Sequence, residues 1–455
     1  MQPDSPASNQ VTGKQIGKYQ VVRVLGEGSS STVYLCYDPF SDRQVAVKLV
    51  KTALLHDQEQ GELYRKLFIS EAALAGKLNH PHLAAIYDAV VDEQSQDEHS
   101  RFIVMEYVAG GTLEVHAKPN NLLPLHTVIE LIFKCSRALD FAYKRGITHR
   151  DIKPANLLLV RDPNHPQQIL DIKITDFGAA LNNTATITQI RGIGSPAYMS
   201  PEQLSDDPLN QQTDIYSLGV VMYQLLTGHL PYEADNHGAM MYQILHVPPA
   251  PPTTHRQDLP DAIEAVVMRA LAKNRADRYA DWESFSMDLA DLIRRRAELS
   301  PTADSLADAE KFNHLRHLRF FAGFTDVALW EVVRFSEWAR HPKQTVLLRE
   351  GEPGNFFYVI AQGEVSVTRK GKLLNLVTAG ECVGEMAYLG NATHKAHSTA
   401  SLRSADVTAL KDLLTIRIEV AALHAASVTC QHSFDRAFIQ ILLERLQLAN
   451  QRITG

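Results

Sequence analysis

Between Tyr19 and Lys48 the chain is built of short β-branched runs, broken by a turn at Gly26 and Gly28. That texture predicts a strand-rich start. From Glu62 to Leu78 apolar positions recur at helical spacing, predicting a helix. After Leu125 helical patterning dominates as far as Arg296, interrupted by loops rich in Pro, Asn and Asp. A small β lobe ending near residue 108 is therefore expected to precede a larger helical lobe. The stretch Lys311 to Trp338 reads as helix. From Val346 to Leu410 short strand-like runs alternate with Gly351, Gly354, Gly363, Gly371, Gly380, Gly384 and Gly390, which predicts a β-roll or barrel. The end returns to helix, with Phe434, Phe438, Ile441, Leu442 and Leu446 at helical spacing. The fold class is α+β. The expected plan is a disordered N-terminus over 1–17, a first domain over 18–297, a linker over 298–310 and a second domain over 311–455. The linker rests on the small, acidic segment from Leu299 to Glu310.

Composition narrows the classes. At ~150 residues per domain, 455 residues suggest about three domains, or two if one is a large enzyme fold. Hydrophobic residues at 45% and charged residues at 21% exclude global disorder. Forty-five basic residues against 52 acidic ones leave −7, which argues against nucleic acid or an anionic membrane as the main partner. Cys36, Cys135, Cys382 and Cys430 form no C-x-x-C pair, so zinc ribbons and disulfide scaffolds are disfavoured. No run reaches the ~18 apolar residues of a membrane span, and the N-terminus lacks a signal-peptide core. A cytoplasmic protein is expected.

The candidate chemistry lies first in ordered motifs. Gly26-Glu27-Gly28-Ser29-Ser30-Ser31-Thr32-Val33 occupies the turn after the first strand, where glycines let backbone approach phosphates. In Val45-Ala46-Val47-Lys48, Ala46 and Lys48 share one strand face. His149-Arg150-Asp151-Ile152-Lys153-Pro154-Ala155-Asn156 follows, then Asp176-Phe177-Gly178 twenty residues past Asn156. Gly194 to Glu202 and Asp214 to Gly219 complete the series. Over about residues 19–296 the chain resembles the protein kinase family, in the bacterial serine/threonine branch.

The resemblance implies roles. Asp151 would accept the substrate hydroxyl proton. Asn156 and Asp176 would hold Mg2+, a hard cation that takes oxygen ligands. Lys48 would grip the ATP phosphates and pair with Glu71, and Lys153 would steady the γ-phosphate. Leu25, Gly26, Gly28, Val33 and Ala46 would roof the nucleotide, with Leu158 as floor. Met105, Glu106 and Val108 would form the gatekeeper and hinge. Ser31, Ser195 and Ser200 depart from the family pattern but keep small side chains. Lys153 and Ser195 favour serine/threonine substrates. Glu202 would pair with Arg278. Arg150 before the catalytic aspartate suggests control on the activation loop, with Thr186 and Thr188 as expected autophosphorylation sites.

A second constellation follows. Phe320 to Phe324, Arg349 to Val367 and Val383-Gly384-Glu385-Met386-Ala387 resemble the cyclic-nucleotide-binding domain family, of the catabolite-activator β-roll type, over about residues 311–450. In that family backbone N–H groups and a glutamate hold the cyclic phosphate and ribose. Gly384, Glu385 and Ala387 match, with Ser398 as a further candidate. An arginine about nine residues beyond the glutamate forks onto the phosphate. Here that spacing falls on His394 or Lys395, and lysine loses the bidentate fork.

The expected protein is thus a serine/threonine kinase using ATP and Mg2+ on protein substrates. Cyclic AMP or cyclic GMP is the candidate ligand of its second domain, and a homodimer is the candidate assembly. The alternative is a catalytically weak kinase-fold scaffold or sensor, whose degenerate pocket serves docking or dimerisation.

Overall fold

The computed structural model describes residues 14–28, 31–51, 61–91, 101–178, 181–182, 196–205, 207–299, 308–386, 388 and 401–454. The chain forms two compact units, Met1–Leu292 and Ile293–Gly455.

In the first unit, β1 (Gln15–Ile16), β2 (Tyr19–Glu27), β3 (Ser31–Asp38), β4 (Arg43–Val50), β5 (Ile86–Val91) and β6 (Arg101–Glu106) form one sheet, ordered β1-β2-β3-β4-β6-β5. Strand alternation gives it two working faces. Val45, Val47 and Leu49 of β4 pack on Tyr19, Cys36 and Phe102. Ala46 and Val50 on the other face meet Met105 and Phe68, the latter from α1 (Gly61–Ala72). Two expectations are corrected here. Disorder does not extend to residue 17, because Ile16 is fully buried in this core and β1 pairs with β2; residues 1–13 lie outside the described residues. The helix expected to reach Leu78 stops at Ala72, because Leu74, Ala75 and Lys77 donate to carbonyls three residues back, as a tightening turn does.

The second lobe is helical: α2 (Leu125–Tyr143), α3 (Pro201–Leu204), α4 (Gln211–Thr227), α5 (His237–His246), α6 (Asp261–Ala270) and α7 (Trp282–Leu299). Short antiparallel pairs join β7 (Ile147–Thr148) to β10 (Leu181–Asn182) and β8 (Leu157–Arg161) to β9 (Ile169–Ile174). α4 is buried along most of its length, which suits a helix apolar all round. Asn210 caps its start, and Gly228 ends it at φ 79°. A Cβ at Gly228 would meet the Pro119 nitrogen at 2.5 Å, so glycine is required there.

Glu202 of α3 meets Arg278 at 2.7 and 3.2 Å, with the two side chains 3% and 0% exposed. Arg278 also donates to the Gln212 and Ala272 carbonyls. Burial pushes the Glu202 carboxyl up, but the Arg278 hydrogen bonds and charge outweigh it and hold it below the ordinary value.

Beyond the end of α7, the second unit contains α8 (Asp308–His317) and α9 (Asp326–Phe335). The stretch expected to be helical over Lys311–Trp338 thus holds two helices. Thr325 caps a new start by accepting from the Ala328 N–H, and Trp338 already lies in a strand. The strands are β11 (Glu337–His341), β12 (Val346–Leu348), β13 (Pro353–Gly354), β14 (Phe356–Gln362), β15 (Glu364–Arg369), β16 (Lys372–Thr378), β17 (Cys382–Val383), β18 (Ser401–Leu402), β19 (Asp406–Ala409) and β20 (Leu413–Glu419). They form two four-stranded sheets, β11-β20-β14-β17 and β12-β19-β15-β16, with β13 and β18 paired beside them. Leu348, Ile360, Val365, Val377 and Val407 fill the roll. Then come α10 (Val420–Ala425) and α11 (Val428–Thr454), whose Phe434 and Phe438 pack on Phe320 and Phe357.

The expected linker over 298–310 is entered by helix on both sides, since α7 runs to Leu299 and α8 starts at Asp308; residues 300–307 lie outside the described residues. All four cysteines are buried and free, and burial pushes the Cys36 and Cys430 thiols up to about 12, so neither is a ready nucleophile. Among the described residues no helix is long and apolar enough to cross a membrane.

Arg278→Met would leave the buried Glu202 charge with only Arg275, 3.9 Å away, as a cationic partner. Urea unfolding at pH 7 should show the variant less stable by about 3–5 kcal/mol.

Candidate active site and candidate ligand cavity

β4 aims Lys48 into the space beneath the first sheet. Its Nζ lies 2.9 Å from Glu71 Oε2 on α1 and 2.6 Å from Asp176 Oδ1. Two carboxylates distant in sequence are thereby gathered on one ammonium. Burial opposes the Lys48 charge, but Asp176 and Glu71 outweigh it and hold its pKa above the ordinary value. Burial likewise opposes ionised Asp176, yet Lys48 holds that carboxyl down at about 2. Asp176 keeps 40% of its side chain exposed, so solvent screens part of this effect. Glu71 is 3% exposed, and burial pushes it up against the pull of Lys48.

The loop carrying Asp151 is held from below. Arg150 and Asp176 both have left-handed backbone, at φ 68° and 65°. Such residues cost ~1–3 kcal/mol each and persist only when their surroundings enforce them. Asp214, buried on α4, supplies that enforcement at Arg150. Its carboxylate accepts the His149 N–H at 2.7 Å and the Arg150 N–H at 2.8 Å. His149 Nδ1 accepts the Asp151 N–H at 3.3 Å, which leaves Nε2–H to donate to the Thr175 carbonyl at 3.1 Å. Its ring also packs on Phe177, with centroids 4.6 Å apart. Motif matching marked Asp214 only as one letter in a string. Its anchoring role required the fold.

Asp151 itself is embraced by two expected neighbours. Lys153 Nζ donates to Oδ2 at 2.8 Å, and Asn156 Nδ2 donates to Oδ2 at 3.1 Å and to the Asp151 carbonyl at 2.8 Å. With its amide nitrogen committed, Asn156 presents its side-chain oxygen, the donor type that Mg2+ takes. Asp176 Oδ1 is held by Lys48 and the Gly178 N–H, which leaves Oδ2. The donor set fits a hard divalent cation.

The nucleotide-binding candidates divide by element. Ala46 and Met105 pair across β4 and β6, and Leu25 and Val33 pack on the same cluster. Leu158 is half-buried on β8, bridged to Thr112. Gly28 donates its N–H to the Ser31 carbonyl, closing the turn that begins near Gly26. The Glu106 carboxylate is already used by Lys173 and the Ala85 N–H, so this residue has only main chain to offer a ligand. Val108 follows directly after β6. Thr186, Thr188 and Ser195 lie outside the described residues.

The second unit holds a cavity of about 270 Å³, lined by Gly384, Glu385, Met386, Leu402 and Ser404 among others. Its lining also contains Arg403, which sequence reasoning did not select. Arg403 is 7% exposed and donates to the Gly384 carbonyl at 3.1 Å and the Phe356 carbonyl at 2.8 Å. Burial pulls its pKa below the ordinary value, against nearby Tyr358, Glu352 and Glu385. It lies eighteen positions beyond Glu385 rather than nine. The spacing argument assumed a shorter connection. The usable signal was an arginine just ahead of the apolar Val407 and Ala409 of β19. Ala387, Lys395 and Ser398 lie outside the described residues.

Comparison with known proteins places the chain among two families. Residues 19–296 match the family model described as protein kinase domain, and residues 339–427 match the cyclic nucleotide-binding domain. The chain belongs to the protein kinase family. Among similar proteins, serine/threonine-protein kinase PknB of Mycobacterium leprae is 35% identical over 298 residues, 65% of this chain and 46% of that protein. Serine/threonine-protein kinase PknB of Mycolicibacterium smegmatis is 35% identical over 66% of this chain and 46% of its own length. Serine/threonine-protein kinase pkn3 of Myxococcus xanthus is 34% identical, covering 67% and 56%. The chain thus spans about half the length of these relatives. The solved PknI kinase domain of Mycobacterium tuberculosis is 26% identical, covering 62% of this chain and 98% of that one, with a TM-score of 0.47.

Asp176 is held low by Lys48, so its contribution to stability is present above the ordinary value of 3.8 and is lost as pH falls through about 2. In Lys48→Met that contribution disappears. Thermal melts of the variant should therefore show a shallower loss of stability between those two pH values than wild type.

Proposed function

We propose that the protein is a serine/threonine protein kinase dependent on ATP and Mg2+, governed by a cyclic nucleotide bound in its second unit. The closed Lys48–Glu71 contact at 2.9 Å, with Asp176 on the same ammonium, carries the kinase reading. A scaffold that had lost catalysis would have no need to hold this buried cation between two carboxylates.

The step is balanced within the named groups. The substrate hydroxyl oxygen forms a bond to the γ-phosphorus, and the bond from that phosphorus to the bridging oxygen breaks, releasing ADP. Asp151 orients the hydroxyl and accepts its proton. Lys153, bound to Asp151, neutralises charge developing on the transferred group. Lys48 orients the phosphates. Bound Mg2+, held by Asn156 and Asp176, supplies electrostatic stabilisation of the phosphate oxygens. Leu25, Val33, Ala46, Met105 and Leu158 enclose the adenine, and main-chain groups of Glu106 and Val108 bond its edge.

Activation-loop control is supported by Arg150, whose Nε is buried without a hydrogen-bond partner among the described residues. A phosphate on Thr186 or Thr188 would give it one. In the second unit, Arg403 supplies the charged fork and Gly384 and Glu385 the turn for a cyclic phosphate. The substrates are proteins, and the compartment is the cytosol, in keeping with four free thiols and a charge of −7. Exposed Ile439, Leu442 and Leu443 on α11 recur at helical spacing and suit the same helix of a second copy in a homodimer.

Asp151→Ala should lower phosphate transfer from labelled ATP to a generic protein substrate by about 10²–10⁴-fold. Undiminished transfer would refute the base. Phosphate should appear on Thr186 or Thr188 of wild type and not of Asp151→Ala, by mass spectrometry. In calorimetry of the full chain with cyclic AMP and cyclic GMP, Arg403→Gln should weaken binding about 10–100-fold.

A further inference from the structure

Arg403 is held by more than its two carbonyl partners. Its guanidinium lies 4.7 Å from the centroid of the Phe356 ring. Two glycines make room for it. A Cβ on Gly354 would lie 2.4 Å from Arg403 Cζ, and one on Gly384 2.7 Å from Nη1. The strands tie this seat together, since Gly354 pairs with Ser401 and Pro353 with Leu402, immediately before Arg403. The Phe356 ring also carries a second guanidinium, that of Arg417, at 4.3 Å. Arg417 is bonded by Glu337 and, at 2.8 Å, by Glu419, so its charge is largely neutralised beside Arg403.

A guanidinium is planar, with five N–H donors in a rigid fork. Two of them serve the Gly384 and Phe356 carbonyls. Where the other three point depends on the tilt of the plane. An aromatic face attracts the cation and fixes that tilt. An aliphatic residue of similar size would fill the space without this preference.

We infer that Phe356 is a positioning residue for anion capture in the cavity, its ring holding the Arg403 fork in the orientation that receives a cyclic phosphodiester. The inference rests on the ligand reading given above. Phe356 acts through Arg403 and touches the ligand only by way of it, so its effect must vanish when Arg403 is absent. That coupling separates positioning from a general weakening of the fold, which would add to any other defect.

The test is a double-mutant cycle on the full chain, titrated calorimetrically with cyclic AMP and with cyclic GMP. Phe356→Leu should weaken binding by about tenfold. Phe356→Tyr, which keeps the ring, should bind as wild type. Phe356→Leu combined with Arg403→Gln should bind no more weakly than Arg403→Gln alone. Wild-type affinity in Phe356→Leu, or additive losses in the double variant, would overturn the positioning role and leave the cavity as a cyclic-nucleotide site. Failure of the wild-type chain to bind either nucleotide would instead overturn the ligand reading, and this inference with it.

Discussion

A single buried ammonium organises the first unit. Burial disfavours the charged form of Lys48 beneath the sheet, and carboxylates close by outweigh that cost. Glu71 and Asp176 meet that need from two different segments, at 2.9 and 2.6 Å. Removing either leaves a charge imbalance in a site partly closed to water. The position of α1, the tilt of β4 and the left-handed turn at Asp176 are therefore coupled through one ion cluster. That coupling gives the site its chemical meaning, since the same ammonium and the same Asp176 are the groups that phosphates and Mg2+ would engage.

The catalytic loop depends on a second device of the same kind. Arg150 and Asp176 hold backbone angles that side-chain-bearing residues avoid. For Arg150, Asp214 on the buried α4 compensates by accepting the His149 and Arg150 N–H groups. Glu202 and Arg278 brace the lobe close by, each nearly without solvent. Rigid helices thus carry strained loops, and the strain stays near Asp151, where geometry matters most.

The second unit uses glycine where the first uses charge. Gly354 and Gly384 leave space for Arg403, and Phe356 provides a flat wall. The cavity then combines a buried cation with the exposed apolar side chains of Met386 and Leu402.

Residue type and local spacing were sufficient for much of this. His149 to Asn156, Asp176 to Gly178 and Lys48 carry their chemistry in their identity, and strand alternation already placed Ala46 and Lys48 on one face. Glu71 could be paired with Lys48 by motif, and the two side chains lie 2.9 Å apart. Other features were invisible because they arise between segments far apart. Ile16 is anchored by a core assembled from later strands, and the 311–338 stretch splits because Thr325 caps a new helix. Arg403 reaches the cavity through a connection longer than the motif spacing assumed. Loop length does not alter the chemistry of a side chain, but it decides which strand end that side chain occupies. The sequence by itself determined which groups were available for phosphoryl transfer and anion binding. Only the tertiary structure decided which of them meet, because those meetings depend on packing and on turns whose reach no local pattern records.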